Sequence, residues 1–305
     1  MKPLKIACIG EAMIELSLDE SGRQAGIGFA GDALNTAIYL KRCLSPDHQV
    51  YFNSRLGQDN FSSVMIEYIE AENIDCSFVS KHESRSPGIY AISKDHTGDR
   101  VFSYWRENSA ARTLFSTEQG DADFTSLEGM DVVYLSAITF AILPVNIVMS
   151  LLDWIEESRK KGVRFAFDSN YRPHLWSDKK IAQQVVACAW KLCDIGLPSI
   201  DDEMALFADD CEAAALERLS SYAAPLMAVK RGASGPLAIL NGQQQSSEAV
   251  FNKATKIVDT TSAGDSFNGA FLAAILERKS IDEALLAGHN IALNVIAHQG
   301  AIIPK

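Results

Sequence analysis

Two hydrophobic periods alternate along the chain. Short apolar runs at Leu4–Gly10, Val50–Arg55, Val132–Ser136, Val163–Asp168, Asp194–Leu197, Leu226–Lys230 and Leu237–Leu240 predict strands buried on both faces. Between and after them, apolar residues recur at helical spacing. That spacing predicts helices over Asp32–Cys43, Asn60–Glu72, Asn146–Lys161, Lys179–Ala189, Gly264–Arg278 and Ile281–His298. This alternation predicts an α/β fold, with a mostly parallel sheet covered by helices on both faces. No internal repeat or low-complexity segment interrupts residues 1–305, so one domain is expected. Two stretches, about residues 11–30 and 86–106, break the pattern. Ile14, Leu16 and Leu18 alternate with Glu15 and Ser17, while Tyr90, Ile92, Val101, Phe102 and Tyr104 flank Asp95-His96-Thr97-Gly98-Asp99, a hairpin turn signal. These excursions predict a small antiparallel sheet projecting from the main unit, placed to act as a lid.

Composition narrows the class. With 47% hydrophobic residues, 305 positions can bury a sizeable core. Twenty-eight basic against 39 acidic residues give a net charge of −11. Binding to nucleic acid or to an anionic membrane needs a basic surface, so neither is expected, although a local basic pocket remains compatible. The six cysteines form no Cys-x-x-Cys pair, which argues for free thiols in a reducing cytoplasm and against a structural zinc site. The start, Met1-Lys2-Pro3-Leu4-Lys5, has no signal-peptide core. Val132–Leu152 is uncharged, but Ser136, Thr139, Pro144 and Asn146 suit a strand, loop and helix better than a membrane span. A cytoplasmic protein is the expectation.

The richest chemistry lies in Asp259-Thr260-Thr261-Ser262-Ala263-Gly264-Asp265. Small residues there precede a helix, so the amides of Ser262, Ala263 and Gly264 would face outward at its positive end. Such an arrangement holds anions and stabilises a phosphoryl group in transfer. Asp265, in the first helical turn, is placed to take a proton from a substrate hydroxyl. Lys230-Arg231-Gly232-Ala233-Ser234-Gly235 reads either as a hairpin or as a turn admitting a nucleotide. Arg106 and Arg172 present guanidinium forks, which bind carboxylates bidentately. Equally plain readings are an exposed Arg106–Glu107 pair and a loop salt bridge for Arg172. Gly26-Ile27-Gly28-Phe29-Ala30-Gly31 does not follow the first strand of a βαβ unit, so a dinucleotide site is not expected there, and no P-loop sequence occurs.

Together these segments resemble the ribokinase-like, pfkB-type carbohydrate kinase family. Asp259–Asp265 matches its D-T-x-G-A-G-D signature with Ser262 in place of Gly. Ala30-Gly31 with Asn35 matches its N-terminal signature with Ala30 in place of the first Gly. Ile9–Leu16, Pro87–Tyr90, Tyr104–Arg106, Asp168–Pro173 and Gly300–Pro304 are similar to the family's 2-keto-3-deoxygluconate kinase subgroup. The resemblance implies a three-layer α/β/α sandwich with a β-lid, and transfer of phosphate from ATP to the 6-hydroxyl of that sugar acid. It implies Asp265 as base and Ser262–Gly264 as anion hole. Gly31, Asn35, Tyr90, Tyr104, Arg106 and Arg172 would meet the sugar acid. Asn170, Lys230, Gly232, Gly235, Gly264, His289 and Asn290 would line the nucleotide site. The family's Asn-x-x-Glu becomes Ile200-Asp201-Asp202-Glu203, leaving Glu203 as a water-mediated Mg²⁺ contact. Asp259 and Thr261 match positions that often hold K⁺. A neutral-sugar kinase and a silent sugar-binding regulator are the alternatives. The alternating lid segments allow a homodimer through the lid.

Overall fold

The apolar runs pair into one large sheet, and the two excursions pair into a smaller one. The protein is seen in a computed structural model that describes residues 2–19, 21–94 and 100–305, with Lys94 described in its backbone alone. The hairpin signal Asp95–Asp99 lies outside the described residues. In chain order the elements begin with β1 (Lys5–Ile9), β2 (Met13–Leu18), β3 (Ala25–Ala30), α1 (Asp32–Cys43), β4 (Gln49–Leu56) and α2 (Asn60–Ala71). Next come β5 (Val79–Lys81), β6 (Gly88–Lys94), β7 (Arg100–Trp105), β8 (Val132–Ser136), α3 (Ala137–Ile142), α4 (Val145–Lys160) and β9 (Arg164–Asp168). Then follow α5 (Lys179–Leu192), β10 (Ile195–Gly196), α6 (Ile200–Phe207), α7 (Glu212–Ser221), β11 (Leu226–Val229) and β12 (Leu237–Leu240). The last are β13 (Gln243–Gln244), α8 (Ala263–Leu276) and α9 (Ile281–Ile296).

The large sheet runs β13-β12-β11-β10-β9-β8-β1-β4-β5, parallel from β11 to β5 and antiparallel at the β12–β13 edge. Burial on both faces follows from the alternation of side chains along each strand. Ile6, Cys8, Val132 and Tyr134 point into one core with Leu34, Ile38, Phe267, Phe271 and Leu285 of α1, α8 and α9. Ala7, Ile9, Val133, Leu135, Phe165 and Phe167 point into the other, with Leu151, Ile155, Val186 and Trp190 of α4 and α5. Helices therefore cover both faces, giving the expected α/β/α sandwich. From β1 the chain order proceeds outward in opposite directions, through β4 on one side and β8 on the other. Open α/β sheets bind ligands at such a reversal, beyond the carboxyl ends of the strands.

The smaller sheet has the order β3-β2-β6-β7. Its β2–β3 and β6–β7 pairings are antiparallel, and the central β2–β6 pairing is parallel. Helices α3, α6 and α7 are additions to the predicted set. They run only six, eight and ten residues, too short for a helical period to stand out from the flanking strands and loops.

Candidate active site

A cavity of about 1230 Å³ opens between the strand ends and the lid. That volume exceeds what one drug-sized ligand fills, leaving room for two substrates side by side. Its floor is Asp168 at the end of β9, its walls are the starts of α1 and α8 and the 230–236 turn, and Tyr90, Phe102, Tyr104 and Arg106 face it from the lid.

Asp265 is the centre of the arrangement. It lies in the first turn of α8, half-buried, and its Oδ2 accepts from Asn35 Nδ2 at 2.9 Å. Asn35 in turn accepts the Gly31 amide at 3.3 Å, so the start of α1 aims the start of α8. Burial, chiefly, and the nearby Asp32 carboxylate push the Asp265 pKa up to about 7, although the Asn35 hydrogen bond opposes them. Asp32 is raised too, first by burial, while its hydrogen bond from Ser136 acts the other way. The backbone demands glycine at Gly31: a Cβ there would stand 2.1 Å from the Glu11 carbonyl oxygen.

Ser262 caps α8 at φ 63°, ψ 11°, the left-handed region that the third residue of a type II turn occupies and that Gly adopts most easily. The turn returns the Ala263 amide to the Thr260 carbonyl at 3.2 Å. The expected three-amide anion hole is thus corrected: the Ala263 N–H closes the turn and does not face outward. Lys230 reinforces the positive end. Its Nζ donates to Asp168 (2.8 Å) and Asn268 (2.9 Å), and a Cβ on Gly264 would lie 3.7 Å from that nitrogen.

Arg106 is buried, 6% exposed, and its partner is Glu11. This replaces the solvated Arg106–Glu107 reading. The reason is local packing: Gly88 has no Cβ, and one built there would stand 2.8 Å from Glu11 Oε1 and 3.0 Å from Arg106 Cβ. Arg106 Nε and Glu11 Oε1 are buried with no partner among the described residues. An orphan guanidinium donor beside a cavity is satisfied by an incoming anion. Tyr90 donates to Glu15 and stacks on Tyr104, with ring centroids 6.0 Å apart. Arg172 lines the same cavity, bridged to Asp202 at 3.2 Å. His174 lies there too, its pKa lowered by burial and then by the two arginines.

The other expected residues divide between the cavity and its surroundings. Asn170, at φ 24°, lines the cavity and donates to Asp32 at 3.4 Å. Gly232 lines the cavity, whereas Gly235 backs onto Phe251. His289 lines it, with Ala292, Leu293 and Ile296 on the same helical stripe, while Asn290 is exposed one step around α9 and is not a lining residue. Glu203 is fully buried behind the cavity, holding Trp190 Nε1 (3.1 Å) and Arg218 Nη1 (2.8 Å), and burial raises its pKa. Its carboxylate is satisfied by the protein, so the magnesium contact assigned to it is withdrawn. Asp201 and Asp202 line the cavity instead. Asp259 and Thr261 meet not an open cation site but the guanidinium of Arg100. Among the described residues no cluster of three or more His, Cys, Asp or Glu side chains is arranged to hold a metal, and the cysteines are unbridged.

A basic phosphate corner, a carboxylate poised near neutrality and a covering β-lid are the equipment of a sugar phosphotransferase. The chain belongs to the pfkB family of carbohydrate kinases, whose profile matches residues 3–305. It is 40% identical over 303 residues to 2-dehydro-3-deoxygluconokinase of Escherichia coli (strain K12), covering 99% of this chain and 97% of that one. In fold it is similar to the crystal structure of 2-dehydro-3-deoxygluconokinase from Thermotoga maritima, at TM-score 0.83 and 20% identity over 99% of this chain and 95% of that chain. It is also similar to a double mutant of the Vibrio cholerae O395 fructokinase in its fructose, ADP and potassium ion bound form. There the TM-score is 0.81, with 23% identity over 98% of this chain and 94% of that chain.

Proposed function

We propose that this chain is a sugar-acid kinase acting on 2-keto-3-deoxy-D-gluconate, also called 2-dehydro-3-deoxygluconate. It transfers the γ-phosphoryl group of ATP to the sugar 6-hydroxyl, giving 2-keto-3-deoxy-6-phosphogluconate. The observation that carries the reading from sugars in general to a sugar acid is Arg106. It is buried on the cavity wall with an orphan Nε, in a chain 40% identical to a kinase named for that substrate. Arg106 and Arg172 hold the carboxylate, with Tyr90 and Tyr104 packing the carbon chain from the lid. Gly31 and Asn35 hold hydroxyls and place the 6-hydroxyl against Asp265. Asp265 takes the hydroxyl proton as the oxygen attacks, a role suited to a pKa near 7.

The nucleotide lies along Lys230, the Gly232 turn and His289. Lys230 and the Gly264 amide neutralise charge on the phosphoryl group in transfer. Magnesium, when bound, supplies further neutralisation at the phosphate oxygens. Hard divalent ions held largely by phosphates and water need one or two carboxylates, and Asp201 and Asp202 would provide them. Lid closure excludes water from the transfer. Residues 1–305 act as one domain with the lid inserted. Among the described residues no helix is long and apolar enough to cross a membrane. An ATP-dependent reaction and six unbridged thiols fit a cytoplasmic setting.

The test is ATP turnover with 2-keto-3-deoxygluconate against fructose and ribose. The sugar acid should give a kcat/KM at least about tenfold higher, a difference of roughly 1.4 kcal/mol in transition-state binding. Preference for fructose or ribose overturns the sugar-acid assignment.

A further inference from the structure

We infer that Arg100 is a tethered cation: its guanidinium occupies the monovalent-ion position beside the start of α8 and fastens the lid to the loop that carries the base. Asp259 Oδ1 accepts Arg100 Nη1 at 2.5 Å and the Thr261 amide at 3.0 Å. Its other oxygen accepts the Gly300 amide at 2.6 Å, and Arg100 Nη1 also reaches Thr261 Oγ1 at 3.1 Å. Both carboxylate oxygens and the hydroxyl are therefore committed. The Asp259 side chain is 1% exposed and that of Arg100 23%. Burial by itself raises the Asp259 pKa, but the hydrogen bonds from Thr261, Gly300 and Arg100 outweigh it and hold the group ionised. A free monovalent ion has no ligands to take here without displacing the arginine, so these residues do not fit one.

The tether has a second effect. Arg100 begins β7, and the residue just past the end of that strand is Arg106, on the cavity wall. Asp259 and Thr261 lead into the turn that sets Ser262 and α8. One ion pair thus links the lid to the segment that positions Asp265. Arg100 touches neither substrate; it is a positioning residue.

The experiment compares wild type with Arg100→Gln and Arg100→Lys, in KCl and in tetramethylammonium chloride at equal ionic strength. Wild type and Arg100→Lys should show the same melting temperature and the same kcat in both salts. Arg100→Gln should melt lower in tetramethylammonium, recover in KCl as the ion enters the vacated position, and lose about tenfold in kcat, the scale of one inter-site coupling. Part of that kcat loss should return with potassium. A merely structural contact predicts a lower melting point with no difference between the salts. That outcome overturns the proposal, as does a wild-type enzyme that needs potassium for turnover. The turnover arm rests on the kinase reading above. The melting arm uses neither sugar nor ATP, so it stands if the substrate proves different. Should Arg100→Gln fail to fold, Arg100→Met takes its place in the same two salts, and equal melting in both overturns the proposal.

Discussion

Asp265 carries a cost that its chemistry explains. In the unfolded chain its carboxyl ionises near 3.8, and in the folded protein near 7. Between those values the folded state keeps a proton that the unfolded chain loses, so stability from this group falls as pH rises through about 7. Asp265→Asn should therefore melt higher than wild type at pH 8, with the gain vanishing near pH 4. The same variant should lose about 10²–10⁴ in kcat, the usual worth of a positioned base, with little change in KM. Wild-type-like turnover in a steady-state assay would remove Asp265 from its role. Wild-type kcat/KM should rise with pH with an apparent pKa of about 7; a flat profile from pH 5 to 8 would contradict the ionisation described. Arg106→Ala should weaken the sugar acid by about 2–4 kcal/mol, read as KM, because one member of a buried charged pair is truncated. It should also lower the melting temperature, since Glu11 is left buried without its counter-charge. Arg106→Lys should recover melting more than KM, because a lysine cannot form the bidentate fork.

At the scale of elements, the crossing of α1 and α8 sets the site. Gly269 lets the helices meet: a Cβ there would stand 2.6 Å from the Leu40 amide nitrogen and 2.7 Å from Tyr39 Cβ. Gly269→Ala should lower stability by about 1–3 kcal/mol, the cost of overpacking a close contact. It should also reduce kcat by disturbing Asn35 against Asp265. An unchanged denaturant midpoint would show that the helices separate freely. Of the crossing helices, α1 has the very bounds that the apolar pattern predicts, as do the strands β8 and β12. The start of α8 was legible from its small residues. What the pattern concealed are partnerships. Glu11 lies 95 positions before Arg106, and Arg100 lies 159 before Asp259, so no local spacing reveals either pair. Glu203 misled because its motif position survives while Arg218 and Trp190, distant in sequence, absorb its carboxylate. The carboxylates Asp32 and Asp168 were visible as residues but not as neighbours of Asp265.

For the whole molecule, a net charge of −11 surrounds a site whose ligands are anions. The cations that meet them, Arg106, Arg172 and Lys230, line one cavity from three different segments of the chain. The lid also exposes apolar side chains on the face turned away from the cavity, Ile27 and Trp105 at 58% and Val101 at 42%. Exposed apolar patches of this kind mark association surfaces. Light scattering should find a dimer, and Trp105→Glu should shift it to monomer; a monomeric wild type would exclude association through the lid. Asn35 and Asp265, joined by one hydrogen bond, lie 230 residues apart. Pairings that close so long a loop form slowly and late. A refolding chain should therefore regain its helical signal before its turnover, and a nascent chain halted before residue 265 would lack both the base and two of the helices that cover one face of its sheet. Enzymatic activity in this protein is a clock for the completion of folding.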